Sequence, residues 1–88
     1  MSNKKYNLYI LQCSDGSYYT GISTDIKRRI REHKNGTRGS KYLRGRGPLK
    51  LVFSKEVGNR SEASKYECLI KSLSHKEKKS LVDGVLNI

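Results

Sequence analysis

The sequence predicts an α+β domain with its elements in the order β-β-α-β-α-α. Two kinds of observation point there. Three apolar runs have the length of strands and end in turn or cap residues, and twice a small polar residue is followed three positions later by Glu, a helix-start signal. The 88 residues suit one modest core, so residues 1–88 are read as a single domain.

The first run, Tyr6 to Cys13 (YNLYILQC), is apolar at both alternating sets of positions, the pattern of a strand covered on both faces. Ser14-Asp15-Gly16-Ser17 reads as a turn, because Gly16 tolerates positive φ and Asp15 can bond nearby backbone. Tyr18 to Ile22 completes a hairpin. Thr24 is placed to cap a helix with Asp25 in its first turn; Ile26 and Ile30 stack at i,i+4, and Gly36 after basic Lys34 supplies the stop. Thr37 to Pro48 mixes glycines with basic residues without periodicity and reads as a loop. Leu49 to Val57 (LKLVFSKEV) is a third strand, entered just after proline. Asn59 with Glu62 opens a second helix in which Ala63, Tyr66, Ile70 and Leu73 repeat at helical spacing. Ser74 with Glu77 repeats the signal, and Leu81, Val82, Val85 and Leu86 form a short terminal helix or docked tail.

Lys and Arg number 19 against 8 Asp and Glu, a formal net charge of +11. A field of that size needs a polyanionic partner. No apolar run approaches a membrane span and no basic-then-apolar leader opens the sequence. The expected partner is therefore nucleic acid, not a membrane, and the expected compartment is the cytoplasm. A protein-interaction adaptor would leave the charge unexplained unless its partner were very acidic. Cys13 and Cys68 lie far apart and belong to no Cys/His cluster of zinc spacing, so both are read as small, reduced core side chains; a disulfide between them stays open. Arg38, Lys41, Arg44 and Arg46, spaced by glycines and joined by Tyr42, make a basic arm with one stacking surface for phosphates or a base; a solvated loop is the plain alternative.

Each Tyr alone is an ordinary strand residue. Their arrangement carries more: Tyr9 in the first strand, Tyr19-Thr20-Gly21 in the second, then Arg29 and His33 one turn apart on one helix face. Glu67 is the acidic residue of the apolar-striped helix that lies beside its buried face. A carboxylate there can hold one Mg²⁺ that keeps most of its water. Arg29 offers a fork that fits phosphate, and His33 can orient a phosphate or relay a proton. Plainer readings exist for each. Glu67 can pair with Lys71 at i,i+4, Arg29 can belong to a charged outer face with Lys27, Arg28 and Arg31, and His33 can serve the helix dipole. His75 is read as doing nothing chemical.

On these residues the sequence resembles the GIY-YIG nuclease domain, in its compact stand-alone bacterial branch of UPF0213-like proteins, over nearly its whole length. The first family triplet falls on Asn7-Leu8-Tyr9, the second on Tyr19-Thr20-Gly21, the arginine-x3-histidine element on Arg29 and His33, and the acidic residue on Glu67 in YECLIK. Asn7 stands in the place of the first glycine and Thr20 in that of the second isoleucine; no Asn lies between Glu67 and Asn87, where some family nucleases carry one. The resemblance implies a three-stranded, mainly antiparallel sheet flanked by helices. It also implies a divalent-metal-dependent endonuclease, a hydrolase of phosphodiester bonds in DNA or structured nucleic acid. Tyr9, Tyr19, Arg29, His33 and Glu67 would be its catalytic residues, with Tyr9 as an assisted base, Tyr19 ordering the site, Arg29 as transition-state clamp and Glu67 holding a single Mg²⁺ or Mn²⁺. Arg28, Arg38, Lys41, Tyr42, Arg44, Arg46 and Lys71 would contact nucleic acid, DNA ahead of RNA. A separate specificity-giving protein is a further expected partner, because family nucleases usually borrow specificity from an attached domain. The alternative is an RNA- or ribosome-associated binding module that keeps the fold and cleaves nothing.

Overall fold

The computed structural model describes residues 5–35 and 47–86. The expected stop at Gly36 and the basic arm with Arg38, Lys41, Tyr42, Arg44 and Arg46 lie outside the described residues. Six elements follow in the expected order: β1 (Tyr6–Gln12), β2 (Tyr18–Ser23), α1 (Ile26–Asn35), β3 (Lys50–Gly58), α2 (Arg60–Lys71) and α3 (His75–Val82). The strands form one sheet in the order β2-β1-β3, with β1 antiparallel to both neighbours.

Being central, β1 must satisfy two cores, and the alternation of its side chains does so. Leu8 and Ile10 pack on one face with Val57, with Ala63 and Ile70 of α2 and with Leu81 of α3. Tyr9, Leu11 and Cys13 pack on the other with Leu49, Tyr19, and Ile26 and Ile30 of α1. The strand that reads as apolar on both sets of positions is thus covered by helices on both faces. Its pairing with β3 shifts register between Tyr6 and Asn7 and between Ile10 and Leu11.

The turns follow from their polar residues. Asp15 Oδ1 accepts from the Ser17 N–H at 3.0 Å and the Ser17 hydroxyl at 2.6 Å, while Gly16 takes φ 86°. Both expected capping boxes form: the Asn59 side chain accepts from Glu62 N, the Ser74 side chain accepts from Glu77 N, and each Glu returns to its cap's backbone. Gly58, at φ 93°, brings β3 so close to α2 that a Cβ there would lie 2.7 Å from Glu62 Oε1.

Three expectations are corrected. Asp25, not Thr24, caps α1: its Oδ1 accepts from Arg28 N at 3.0 Å, and Ser23 Oγ, bonded to both the N–H and the C=O of Asp25, sets the approach. Cys68 is exposed, because it lies on the side of α2 away from the Ala63–Ile70 stripe; Cys13 is buried, and both thiols are free. Val85 is 79% exposed, since α3 ends at Val82 and Gly84 turns the chain at φ 81°, leaving Leu86 but not Val85 against the core. No helix among the described residues is long and apolar enough to cross a membrane.

Candidate active site

Strand β1 carries Tyr9 toward α1, and the register places Gly21 of β2 opposite it. A Cβ on Gly21 would lie 2.5 Å from the Tyr9 hydroxyl oxygen and 2.6 Å from its Cζ. The phenol therefore lies across β2 at the one residue that leaves room for it, and Tyr9 is buried. This close approach is the physical reason for glycine in Tyr19-Thr20-Gly21.

Helix α1 brings His33 and Arg29 to that phenol from one face, four residues apart. His33 is buried, and its Nε2 is 3.0 Å from the Tyr9 hydroxyl. The Tyr19 ring meets the imidazole edge to face, with centroids 5.4 Å apart and planes at 73°. Arg29 Nη1 binds Glu32 Oε1 at 3.0 Å, and Arg28 Nε stands 3.9 Å from the other Glu32 oxygen. Arg28 and Arg29 line a pocket of about 350 Å³ beside β2 with Ser23, Thr24 and Glu32.

Burial and neighbours set the charges. Burial, aided by Tyr19 and Glu67 and opposed by the charge and hydrogen bond of Arg29, leaves the Tyr9 phenol pushed up to about 12. Burial and then the Arg29 charge hold His33 below its ordinary value, against the pull of Glu32. Arg29 is held still more firmly charged, chiefly by its bond to Glu32. At neutral pH the phenol is protonated and the imidazole neutral, so with the ring proton on Nδ1 the Tyr9 O–H donates to Nε2.

Tyr9, Tyr19, Arg29 and His33 thus stand together. Glu67 is on α2, across the sheet face, with its side chain half-buried; its Oε2 pairs with Lys71 Nζ at 3.5 Å, and its charge is felt at Tyr9. Among the described residues no group of three or more His, Cys, Asp or Glu could share a metal. A cation here would rely on the Glu67 carboxylate and its own water, a donor set that suits Mg²⁺ and not structural zinc.

Glu32 is the site residue that the sequence reading missed. Its signal is positional, three residues after Arg29 and four after Arg28 on their own helix face. His33 is no exposed dipole partner. His75 has a structural place, stacking on Tyr18 and bonding Gly16 O at 3.1 Å. Thr20 carries a buried hydroxyl without a hydrogen-bond partner, as expected where its place is built for an apolar side chain.

Comparison with known proteins gives the family and the fold. The family model for the GIY-YIG catalytic domain matches residues 5–80. A UPF0213 protein of Photorhabdus laumondii is 49% identical over 82 residues, covering 93% of this chain and 78% of that protein. The solution NMR structure of a UPF0213 protein from Bacillus halodurans superposes with TM-score 0.58 at 46% identity, covering 90% of this chain and 83% of that one. The solution NMR structure of a protein from E. faecalis gives TM-score 0.65 at 38% identity, covering 96% and 90%. The chain belongs to the GIY-YIG nuclease-like family, within its UPF0213 group.

Proposed function

We propose that this domain hydrolyses phosphodiester bonds in nucleic acid, DNA ahead of RNA, assisted by one Mg²⁺ or Mn²⁺ at Glu67. The observation that carries the reading is the buried Tyr9–His33 hydrogen bond with the Arg29 guanidinium beside it. A purely structural Tyr–His pair has no need of a half-buried arginine facing a pocket.

A phenol with a pKa of about 12 is a poor base alone, ionised in about one molecule in 10⁵ at pH 7. Its bond to His33 supplies the missing step. As Tyr9 Oη takes a proton from the attacking water, its own proton passes to His33 Nε2, so no free phenolate forms. The water oxygen bonds to phosphorus, the bond to the leaving oxygen breaks, and that oxygen takes a proton from solvent. Arg29 donates to the phosphate oxygens as negative charge develops on them. Glu32 keeps Arg29 in place, and the edge of Tyr19 keeps the His33 ring turned toward Tyr9. A divalent cation at Glu67, when bound, supplies a more acidic water and further charge neutralisation. Lys71 already offers a positive charge to that carboxylate, so Glu67 can exchange one cation for another.

The high Tyr9 pKa is the observation that favours the second reading, a binding module without turnover. Incubation of supercoiled plasmid and of duplex, single-stranded, branched and RNA substrates with Mg²⁺, Mn²⁺ or EDTA separates the two. Hydrolysis expects metal-dependent nicking of at least one substrate. Tight binding with no product in either metal selects the module.

A further inference from the structure

The edge strand β2 borders a second pocket, which the chemistry above does not use. This open pocket, of about 340 Å³, is lined by Tyr18, Tyr19 and Thr20, by Lys71 at the end of α2 and by Lys78 of α3. It adjoins the candidate active site at two points. Tyr19 meets His33, and Lys71 pairs with Glu67.

Lys78 is held at this pocket by the way α3 docks. In the first turn of the helix His75 stacks on Tyr18, with centroids 4.9 Å apart and planes at 23°, and bonds Gly16 O in the β1–β2 turn. Three residues beyond Lys78, Leu81 is buried in the core. Lys78 stands midway between these anchors on the same helix face, so both fix it over the β2 edge. It is half-buried, and its ammonium has no carboxylate partner among the described residues. The next residue differs: Lys79 pairs with Asp83 at 2.9 Å. Two lysines thus border one open pocket, and an anion placed there would meet both positive charges.

We propose that this pocket is a subsite for a second backbone phosphate of the nucleic-acid substrate, with Lys78 as its principal contact and Lys71 as the other. The inference rests on the nucleic-acid reading above. It adds a direction: the strand runs along the β2 edge, from the phosphate at Arg29 toward a further one at Lys78. The Tyr18 and Tyr19 side chains wall the space that its sugar and base would occupy.

The plain alternative is a lysine whose stem covers apolar surface while its head stays in water. Lys78→Met keeps the stem and removes the charge; Lys78→Arg keeps the charge; Lys76→Met removes an equal charge from an exposed position on the same helix. Fluorescence anisotropy of labelled DNA across a salt series reads all three. Lys78→Met is expected to weaken binding roughly 3- to 10-fold and to lower the slope of log K against log salt by about one unit, while Lys76→Met and Lys78→Arg stay near wild type. Equal effects at positions 76 and 78, or none at 78, overturn the subsite. A second readout is an amide-shift titration with a 5′-phosphorylated dinucleotide, in which Tyr18, Tyr19, Lys71 and Lys78 should move in wild type and not in Lys78→Met. The two readings fail separately. Cleavage with unchanged binding in Lys78→Met removes the subsite alone, and binding through Lys78 without cleavage removes hydrolysis alone. Absence of all nucleic-acid binding and of dinucleotide shifts overturns both.

Discussion

Replacing Gly21 by Ala tests the packing on which the candidate site depends. Gly21 is not among the described glycines of positive φ, which are Gly16, Gly58 and Gly84, so space alone requires glycine here. The added methyl carbon would stand 2.5 Å from the Tyr9 hydroxyl oxygen, and the phenol must move away. Overpacking of this kind costs about 1–3 kcal/mol. The lost hydrogen bond to His33 adds about 1 kcal/mol, and removing a strand glycine returns roughly 0.5–1 kcal/mol. A net loss of about 1–3 kcal/mol lowers Tm by roughly 4–24 °C in a domain of this size. Thermal unfolding followed by circular dichroism measures it, and a cycle with Tyr9→Leu identifies the cause. Once the phenol is gone, Gly21→Ala should cost little, giving a coupling of about 1–3 kcal/mol. A neutral Gly21→Ala, or the same cost in both backgrounds, refutes the close approach.

Urea unfolding as a function of pH tests the charge states of the Tyr9–His33 pair. The folded value of Tyr9 lies above its ordinary 10, so stability present below pH 10 is lost as pH rises from 10 to 12, by about 2–3 kcal/mol; Tyr9→Phe should remove that fall. His33 shifts downward, so stability present above pH 6.5 declines as pH falls below it, and His33→Gln should flatten that decline; a wild type unaffected by pH in this range contradicts it. With thiol reagent and no reductant, Cys68 should react in the native protein and Cys13 only after denaturation, whereas a protected Cys68 would contradict its exposure.

Much of this architecture was legible because local chemistry decides it. Asn59/Glu62 and Ser74/Glu77 start helices through contacts three residues apart, and the doubly apolar β1 announces a central strand. The resemblance, not periodicity, supplied the antiparallel three-stranded sheet. The α1 start was off by one because Thr24 and Asp25 are both competent caps, and the Ser23 hydroxyl chooses between them through the backbone of Asp25. Cys68 reads as core and Val85 as part of the terminal helix or docked tail, because apolar character does not say which side of a helix, or of its ending turn, a residue occupies. At the site, spacing paired Arg29 with His33 on one helix face, and the resemblance joined Tyr9 and Tyr19 to them. Glu32 could not be placed with them, since an acidic residue among arginines reads equally well as surface charge until its partner proves half-buried. The pocket at Lys78 was likewise hidden, because it exists only once α3 folds back onto the β1–β2 turn.

The proposed hydrolysis by the Tyr9–His33–Arg29 cluster with Glu67 requires each of these side chains. Single-turnover cleavage and binding, measured side by side in Mg²⁺ for wild type, Tyr9→Phe, Arg29→Ala and Glu67→Gln, test it most directly. Wild type should cut, Arg29→Ala should lose about 10²- to 10³-fold in rate with modestly weaker binding, and Tyr9→Phe and Glu67→Gln should bind as well as wild type but cut far more slowly. Wild type that binds and never cuts, or variants that cut at the wild-type rate, would contradict it.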